Sequence, residues 1–200
     1  MQQAELSKAA PVFTTDWFSN NIPALTASLA SVRDRPVRFL EIGSWEGRST
    51  LWFLQHLHEL STFSCVDTFR GGVEHQGSTS LVNLRPRFES NLADHKKRVT
   101  VFEGKSHEIV RTLPLDHYDV VYVDGSHEAP DVFIDTALVW LVTKPGGIIM
   151  FDDYGGGQHG ESPAELKTSP KRAVDAFLAV FKGRVELIHN GYQIHVKKLQ

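Results

Sequence analysis

From Val37 onward, short apolar runs alternate with helical patterns, and the last two runs are joined by Asn190-Gly191. Strands that alternate with helices build a parallel sheet covered on both faces. Asn-Gly between two such runs signals a two-residue hairpin. Residues 37–42, 62–66, 98–102, 118–123 and 148–151 read as five parallel strands. Helices are expected over 49–60, 80–96 (kinked or started near Pro86), 107–112, 130–142 and 171–181, with the one over 130–142 stopped by Pro145-Gly146-Gly147. Residues 184–189 and 192–196 form the hairpin, which turns the last strand antiparallel. Residues 1–36 read as an amino-terminal helical segment, helical from about Pro23 to Val32, that caps the site or serves a dimer. Residues 37–200 form the domain proper.

The first strand runs into Phe39-Leu-Glu-Ile-Gly-Ser-Trp-Glu-Gly-Arg-Ser-Thr50. A strand, a tight glycine turn and a helix start make the usual cradle for a nucleotide-like cofactor. The spacing is Gly-x-x-x-Gly, not Gly-x-Gly-x-x-Gly, and Glu41 stands two residues before Gly43. That carboxylate repels a pyrophosphate and attracts a ligand carrying an ammonium and a sulfonium. S-adenosylmethionine is such a ligand. The fold class is therefore α/β, a single-domain Rossmann-like seven-stranded mixed sheet with the last strand antiparallel. The closing hairpin and Glu41 argue against an NAD-dependent oxidoreductase.

Composition removes other classes. With a net charge of −3 and no long basic run, nucleic acid is not an expected partner. Cys65 is the only cysteine, so no internal disulfide forms. Residues 1–10 are polar and lack the apolar core of a signal peptide. No apolar run is long enough to span a bilayer, so no membrane partner and a cytoplasmic location are expected.

In an open parallel sheet, ligands bind at the carboxyl ends of the strands. Those ends offer Asp67, then Glu103-Gly104-Lys105-Ser106, then Asp124-Gly125-Ser126-His127, then Asp152-Asp153. Asp67 is placed to accept hydrogen bonds from ribose hydroxyls. Asp124, Asp152 and Asp153 lie on neighbouring strands, and three crowded carboxylates repel unless a proton or cation sits among them. A hard divalent cation, Mg²⁺ before Ca²⁺ or Mn²⁺, suits oxygen ligands. His127 has a side chain suited to proton abstraction near neutral pH. His75 and His159 lie on loops at the same end and are candidates to line an acceptor pocket. Gly155 to Gly157 read as a hinge, a close approach to ligand or a plain loop.

On these residues the chain resembles the class I S-adenosylmethionine-dependent O-methyltransferases. It is similar to the catechol-type, metal-dependent group and to the macrolide-sugar O-methyltransferases. The resemblance runs from about Phe39 to Phe151. It implies that Glu41, Gly43 and Ser44 belong to the cofactor loop, that Asp67 binds the ribose, and that Gly104 and Ser106, with His107, lie on the adenine side. It implies a metal held by Asp124, Asp152 and Asp153, with Asp124 also counted in the cofactor site and, with His127, as catalytic. Two departures stand out: His127 replaces the lysine common in the catechol group, and Asp153 replaces a frequent asparagine. Both point toward the sugar and natural-product members. The implied activity is methyl transfer to a hydroxyl of a small molecule (sugar, polyketide or phenol). The alternatives are a metal-independent methyltransferase with His127 as base, and a non-catalytic S-adenosylmethionine-binding accessory protein.

Overall fold

A computed structural model describes residues 10–156 and 168–200. Gly157 and His159 lie outside the described residues. Seven strands form one sheet: β1 (Arg38–Ile42), β2 (Thr62–Asp67), β3 (Val99–Glu103), β4 (Tyr118–Val123), β5 (Thr143–Phe151), β6 (Val185–Asn190) and β7 (Ile194–Lys198). Their order is β3-β2-β1-β4-β5-β7-β6. The first five strands run parallel, and β7 pairs antiparallel with both β5 and β6. Order reverses between β1 and β4, and at such a switch point the crevice at the strand ends opens to a ligand.

Alternation along each strand sends neighbouring side chains to opposite faces. Phe39, Tyr122, Ile148 and Met150 pack on one face with α1 (Ile22–Leu29), α2 (Arg48–His56) and α3 (Leu84–Asn91). Leu40, Val121, Ile149 and Phe151 pack on the other with α5 (Ala129–Val142) and α6 (Pro170–Val180). The short α4 (Ser106–Ile109) follows β3. Phe18, Leu25, Leu29 and Val32 of the amino-terminal segment are buried in the first of these cores. Among the described residues no helix is long and apolar enough to cross a membrane.

Three expectations need correction. The helix expected over 80–96 is broken into a 3₁₀ turn (Thr79–Leu81), α3 and a second 3₁₀ turn (Ala93–His95). Asn83, in the left-handed region at φ 55°, starts α3, and Pro86 falls in its first turn. β5 begins at Thr143 rather than Ile148, because a register shift opposite Tyr118–Val120 absorbs Pro145-Gly146-Gly147. The closing hairpin has three connecting residues, since Asn190 pairs with Ile194. Its tip is recruited inward: the Tyr192 carbonyl accepts from Gly155 N at 2.8 Å, and Gln193 turns into a buried polar network.

Candidate active site

The glycine turn after β1 is held from below and from the side. Glu41 is fully buried and accepts from Ser44 Oγ and Ser49 Oγ, both at 2.7 Å, and from Thr50 Oγ1. Burial pushes its carboxyl above the ordinary range, against the lowering effect of those hydroxyls. Glu41 thus pins the turn to the first residues of α2, and its oxygens are taken up inside the protein. Gly43 has φ 81°, and a Cβ there would lie 1.9 Å from the Asp124 carbonyl oxygen. Only glycine allows this turn to lie against the end of β4.

Asp67 holds the same turn from the neighbouring strand. Its Oδ2 accepts the Ser44 and Trp45 amides at 2.7 and 2.8 Å, and its Oδ1 accepts Phe69 N at 2.6 Å. A carboxylate offers about four acceptor positions, so Asp67, which is partly exposed, keeps one for a further donor. Gly104 N donates to the Asp67 carbonyl at 3.0 Å, which ties the end of β3 to that of β2. Ser106 hydrogen-bonds Asp135 of α5. His107 is exposed.

At the ends of β4 and β5 the acids divide their roles. Ligand atoms of Asp124, His127 and Asp153 all lie within 4.8 Å of one another. His127 Nε2 is 2.8 Å from Asp153 Oδ2, and its Nδ1 is 3.2 Å from Glu74 Oε1. The hydrogen bond to Asp153 raises the His127 pKa, burial opposes this, and Glu74 adds to the rise. Burial pushes Asp153 up, but its contacts with His127 outweigh that and leave it lowered. Asp124 is pushed well up by burial and by the neighbouring charges of Asp152 and Asp153. Asp153 adopts φ 56°, a sparsely populated conformation that Asp tolerates better than most residues.

Asp152 does not join this cluster, contrary to the expected three-aspartate set. Both its oxygens accept from Asn21 Nδ2, at 3.1 and 3.2 Å. Oδ2 also accepts from the Tyr122 hydroxyl and Oδ1 from Asp153 N at 2.7 Å. The carboxylate is saturated from within the protein, and His127 takes its place in the cluster.

A family model described as a methyltransferase domain matches residues 40–154, from β1 to just beyond β5. The chain belongs to this methyltransferase family. It is 25% identical over 144 residues to a candidate O-methyltransferase of Mycobacterium sp. (strain JLS), covering 72% of this chain and 60% of that protein. It is 27% identical over 116 residues to uncharacterized protein R132 of Acanthamoeba polyphaga mimivirus, covering 58% of this chain and 51% of that protein. The chain therefore spans between half and two thirds of the length of these curated relatives. The O-methyltransferase TomG from Streptomyces achromogenes, solved in complex with S-adenosylmethionine, shares the fold. The match has a TM-score of 0.63 and 19% identity over 92% of this chain and 82% of that one.

Several residues around this site carry no motif. Asn21 and Tyr122 support Asp152, and Gln193 links Tyr122 at 3.3 Å to the buried His195 at 2.9 Å. Ser28 of α1 lies 2.6 Å from the other ring nitrogen of His195. Burial lowers the His195 pKa to about 3, so the ring is neutral and serves as a relay of hydrogen bonds. Tyr192 donates to Asp153 Oδ1 at 2.6 Å. Glu46 accepts from Thr14 N at 2.7 Å and pairs with Arg87, and so fastens the amino-terminal segment over the glycine turn. The only signal for Asn21 and Tyr122 was a polar atom at a position that must be buried.

Proposed function

We propose that the chain is an S-adenosylmethionine-dependent O-methyltransferase acting on a hydroxyl of a small molecule, with a divalent cation at Asp124 and Asp153. The observation that carries this reading is the convergence of Asp124, His127 and Asp153 beside a glycine turn held by Asp67. The residues present suit both groups. For the cofactor there is a turn that a Cβ would block, a spare acceptor position on Asp67, and the Trp45 indole N–H, buried without a partner. For the cation there are the carboxylates of Asp124 and Asp153, the first pushed well above its ordinary pKa by burial and by the neighbouring acids.

S-adenosylmethionine supplies an electrophilic methyl group, and a divalent cation supplies charge that lowers the pKa of an acceptor hydroxyl. The protein's part is position and proton transfer. Asp67 fixes the turn through two amides. His127 accepts the hydroxyl proton on Nε2, and Glu74 supports it at Nδ1. Asp152, locked by Asn21 and Tyr122, keeps the β5 end rigid. Holding reactants in line accounts for much of the rate in such reactions.

A second reading has its own support. His127 lies between the Asp153 and Glu74 carboxylates, so once one ring nitrogen donates to Glu74 the other can act as the base. Chelation separates the two. We expect methyl transfer to vanish with EDTA and to return with Mn²⁺ or Mg²⁺, while calorimetric binding of S-adenosylmethionine survives. Full activity in exhaustively chelated protein would remove the cation and leave His127 as sole base. Absence of S-adenosylmethionine binding would remove the activity altogether.

A further inference from the structure

A cavity of about 280 Å³ lies between the amino-terminal segment and the loop that follows β2. Thr14, Trp17, Glu74, His75, Ser78 and Ser80 are among its lining residues. Nothing in the site described above uses it, yet Glu74 joins the two: the same carboxylate that lines the cavity lies 3.2 Å from His127. The cavity therefore opens where an acceptor held at His127 would extend.

The lining states what kind of molecule fits. Trp17 is 60% exposed. It belongs to a cluster in which the ring centroids of Trp17 and Trp45 are 5.7 Å apart, those of Trp17 and His75 5.5 Å, and those of Trp45 and His75 4.7 Å. An indole kept at a cavity wall while apolar residues beside it are buried is a platform for a flat or CH-rich ring. Thr14, whose hydroxyl donates to Glu46, can accept, and Ser78 and Ser80, bonded to each other at 2.6 Å, leave one hydroxyl hydrogen and acceptor positions for a ligand. At about 280 Å³ the space is at the low end of the roughly 300–1,000 Å³ typical of small-molecule clefts, which suits one ring with its substituents.

What the lining lacks is equally informative. Among the described residues no lysine or arginine lines it. The nearby guanidinium groups are engaged elsewhere: Arg48 with the Thr15 carbonyl and Asp16, Arg87 with Glu46 and the Ser80 and Val82 carbonyls. His75 is engaged too: its Nδ1 lies 3.1 Å from the Gly72 amide and 3.5 Å from Glu74 Oε1. Glu74 is the only carboxylate among the described lining residues. A phosphate or carboxylate placed here would meet that carboxylate and, among the described residues, no lysine or arginine.

We infer that this cavity is the acceptor-ring subsite and that it takes a neutral or cationic ring compound, excluding acceptors that carry a phosphate, a coenzyme A ester or a carboxylate on that ring. The inference rests on the methyl-transfer reading for the word acceptor, but the ring-binding preference is a property of the cavity alone.

Three compounds of nearly the same shape test it: tyramine (cationic), tyrosol (neutral) and 4-hydroxyphenylacetate (anionic). Each is titrated by ligand-observed saturation-transfer NMR into the full chain, the Trp17→Ala and Trp17→Phe variants, and Glu74→Gln. Tyramine and tyrosol are expected to bind, with 4-hydroxyphenylacetate at least about threefold weaker, the size expected of one partly exposed charge. Trp17→Ala should weaken tyramine and tyrosol by about 2–10-fold, as loss of an aromatic contact does, and Trp17→Phe should restore most of that. Glu74→Gln should bring tyramine and 4-hydroxyphenylacetate together. Equal binding of the anion by the unaltered chain, unchanged binding in Trp17→Ala, or no binding of any of the three would overturn the inference. S-adenosylmethionine is titrated in parallel by calorimetry. Its binding without ring binding sinks the subsite alone, and ring binding without it sinks the methyl-transfer reading alone.

Discussion

Replacing Asp135 by asparagine should stabilise the protein at neutral pH and leave it nearly unchanged in acid. Asp135 sits on the inner face of α5 at 2% exposure, bonded to Ser106 through one oxygen while Oδ1 has no partner. Burial raises its pKa from 3.8 to about 6, with a smaller contribution from Asp131. As pH rises from 3.8 to about 6, the unfolded chain gives up this proton while the folded chain keeps it. The folded state binds more protons across that window, so stability falls with rising pH, and the loss is complete above it. At roughly 1.4 kcal/mol per pH unit the rise corresponds to about 3 kcal/mol. Asparagine cannot ionise and keeps a hydrogen bond to Ser106, although one amide atom takes the unpartnered position. A gain of about 2–3 kcal/mol at pH 8 follows, or about 5–10 °C in Tm for a chain of this size. Urea and thermal unfolding at pH 4 and pH 8 measure it. An equal shift at both pH values, or a loss at pH 8, would show that Asp135 is not carrying an uncompensated charge.

Asp67→Ala frees two amides of the glycine turn and should weaken S-adenosylmethionine binding by about 1.5–3 kcal/mol in calorimetry while the protein stays folded; undiminished affinity takes Asp67 out of the site. Asn21→Ala leaves the buried Asp152 carboxylate short of a donor and should cost about 1–3 kcal/mol in urea unfolding, and a neutral result would mean that water replaces the amide. The wild-type rate should climb with pH through the raised pKa of His127, because the imidazole must be neutral to take a proton. His127→Asn should lose that limb together with about 10²–10⁴-fold in kcat. A loss that is the same at every pH and falls on KM would make His127 a positioning residue.

The sheet was legible because buried parallel strands need continuous apolar runs, and Tyr118–Val123 was read to the residue for that reason. Errors cluster where tertiary contacts override local chemistry. Asn190-Gly191 has the composition of a two-residue turn, but Tyr192 and Gln193 are drawn toward Asp153 and Tyr122, and the connection lengthens. Pro145-Gly146-Gly147 looks like a terminator, yet the strand accommodates it by slipping register. At the site, sequence could place acids at strand ends but not tell which carboxylate the protein itself would satisfy. Asp152 and Asp153 are adjacent and alike in sequence. One accepts from the amide of a residue 131 positions away, and the other faces His127. Glu41 shows the same ambiguity, since a carboxylate beside a glycine turn serves equally as ligand contact or as the anchor it proves to be.

The bonds that fasten α1 have a consequence for how the chain is made. Ser28 meets His195 across 167 positions, and Asn21 meets Asp152 across 131. Such contacts are slow to form because a long loop must close before they contribute. At about 5–20 residues per second of synthesis, Ser28 waits about 10–30 s for His195 to be added. Throughout that interval Leu25 and Leu29 have no completed sheet to cover them, and the Asp152 carboxylate, once made, lacks its amide until α1 docks. α1 thus leaves the ribosome well before the strands it packs against and is among the last elements to find its place, so a nascent chain exposes an apolar helix that a chaperone can hold.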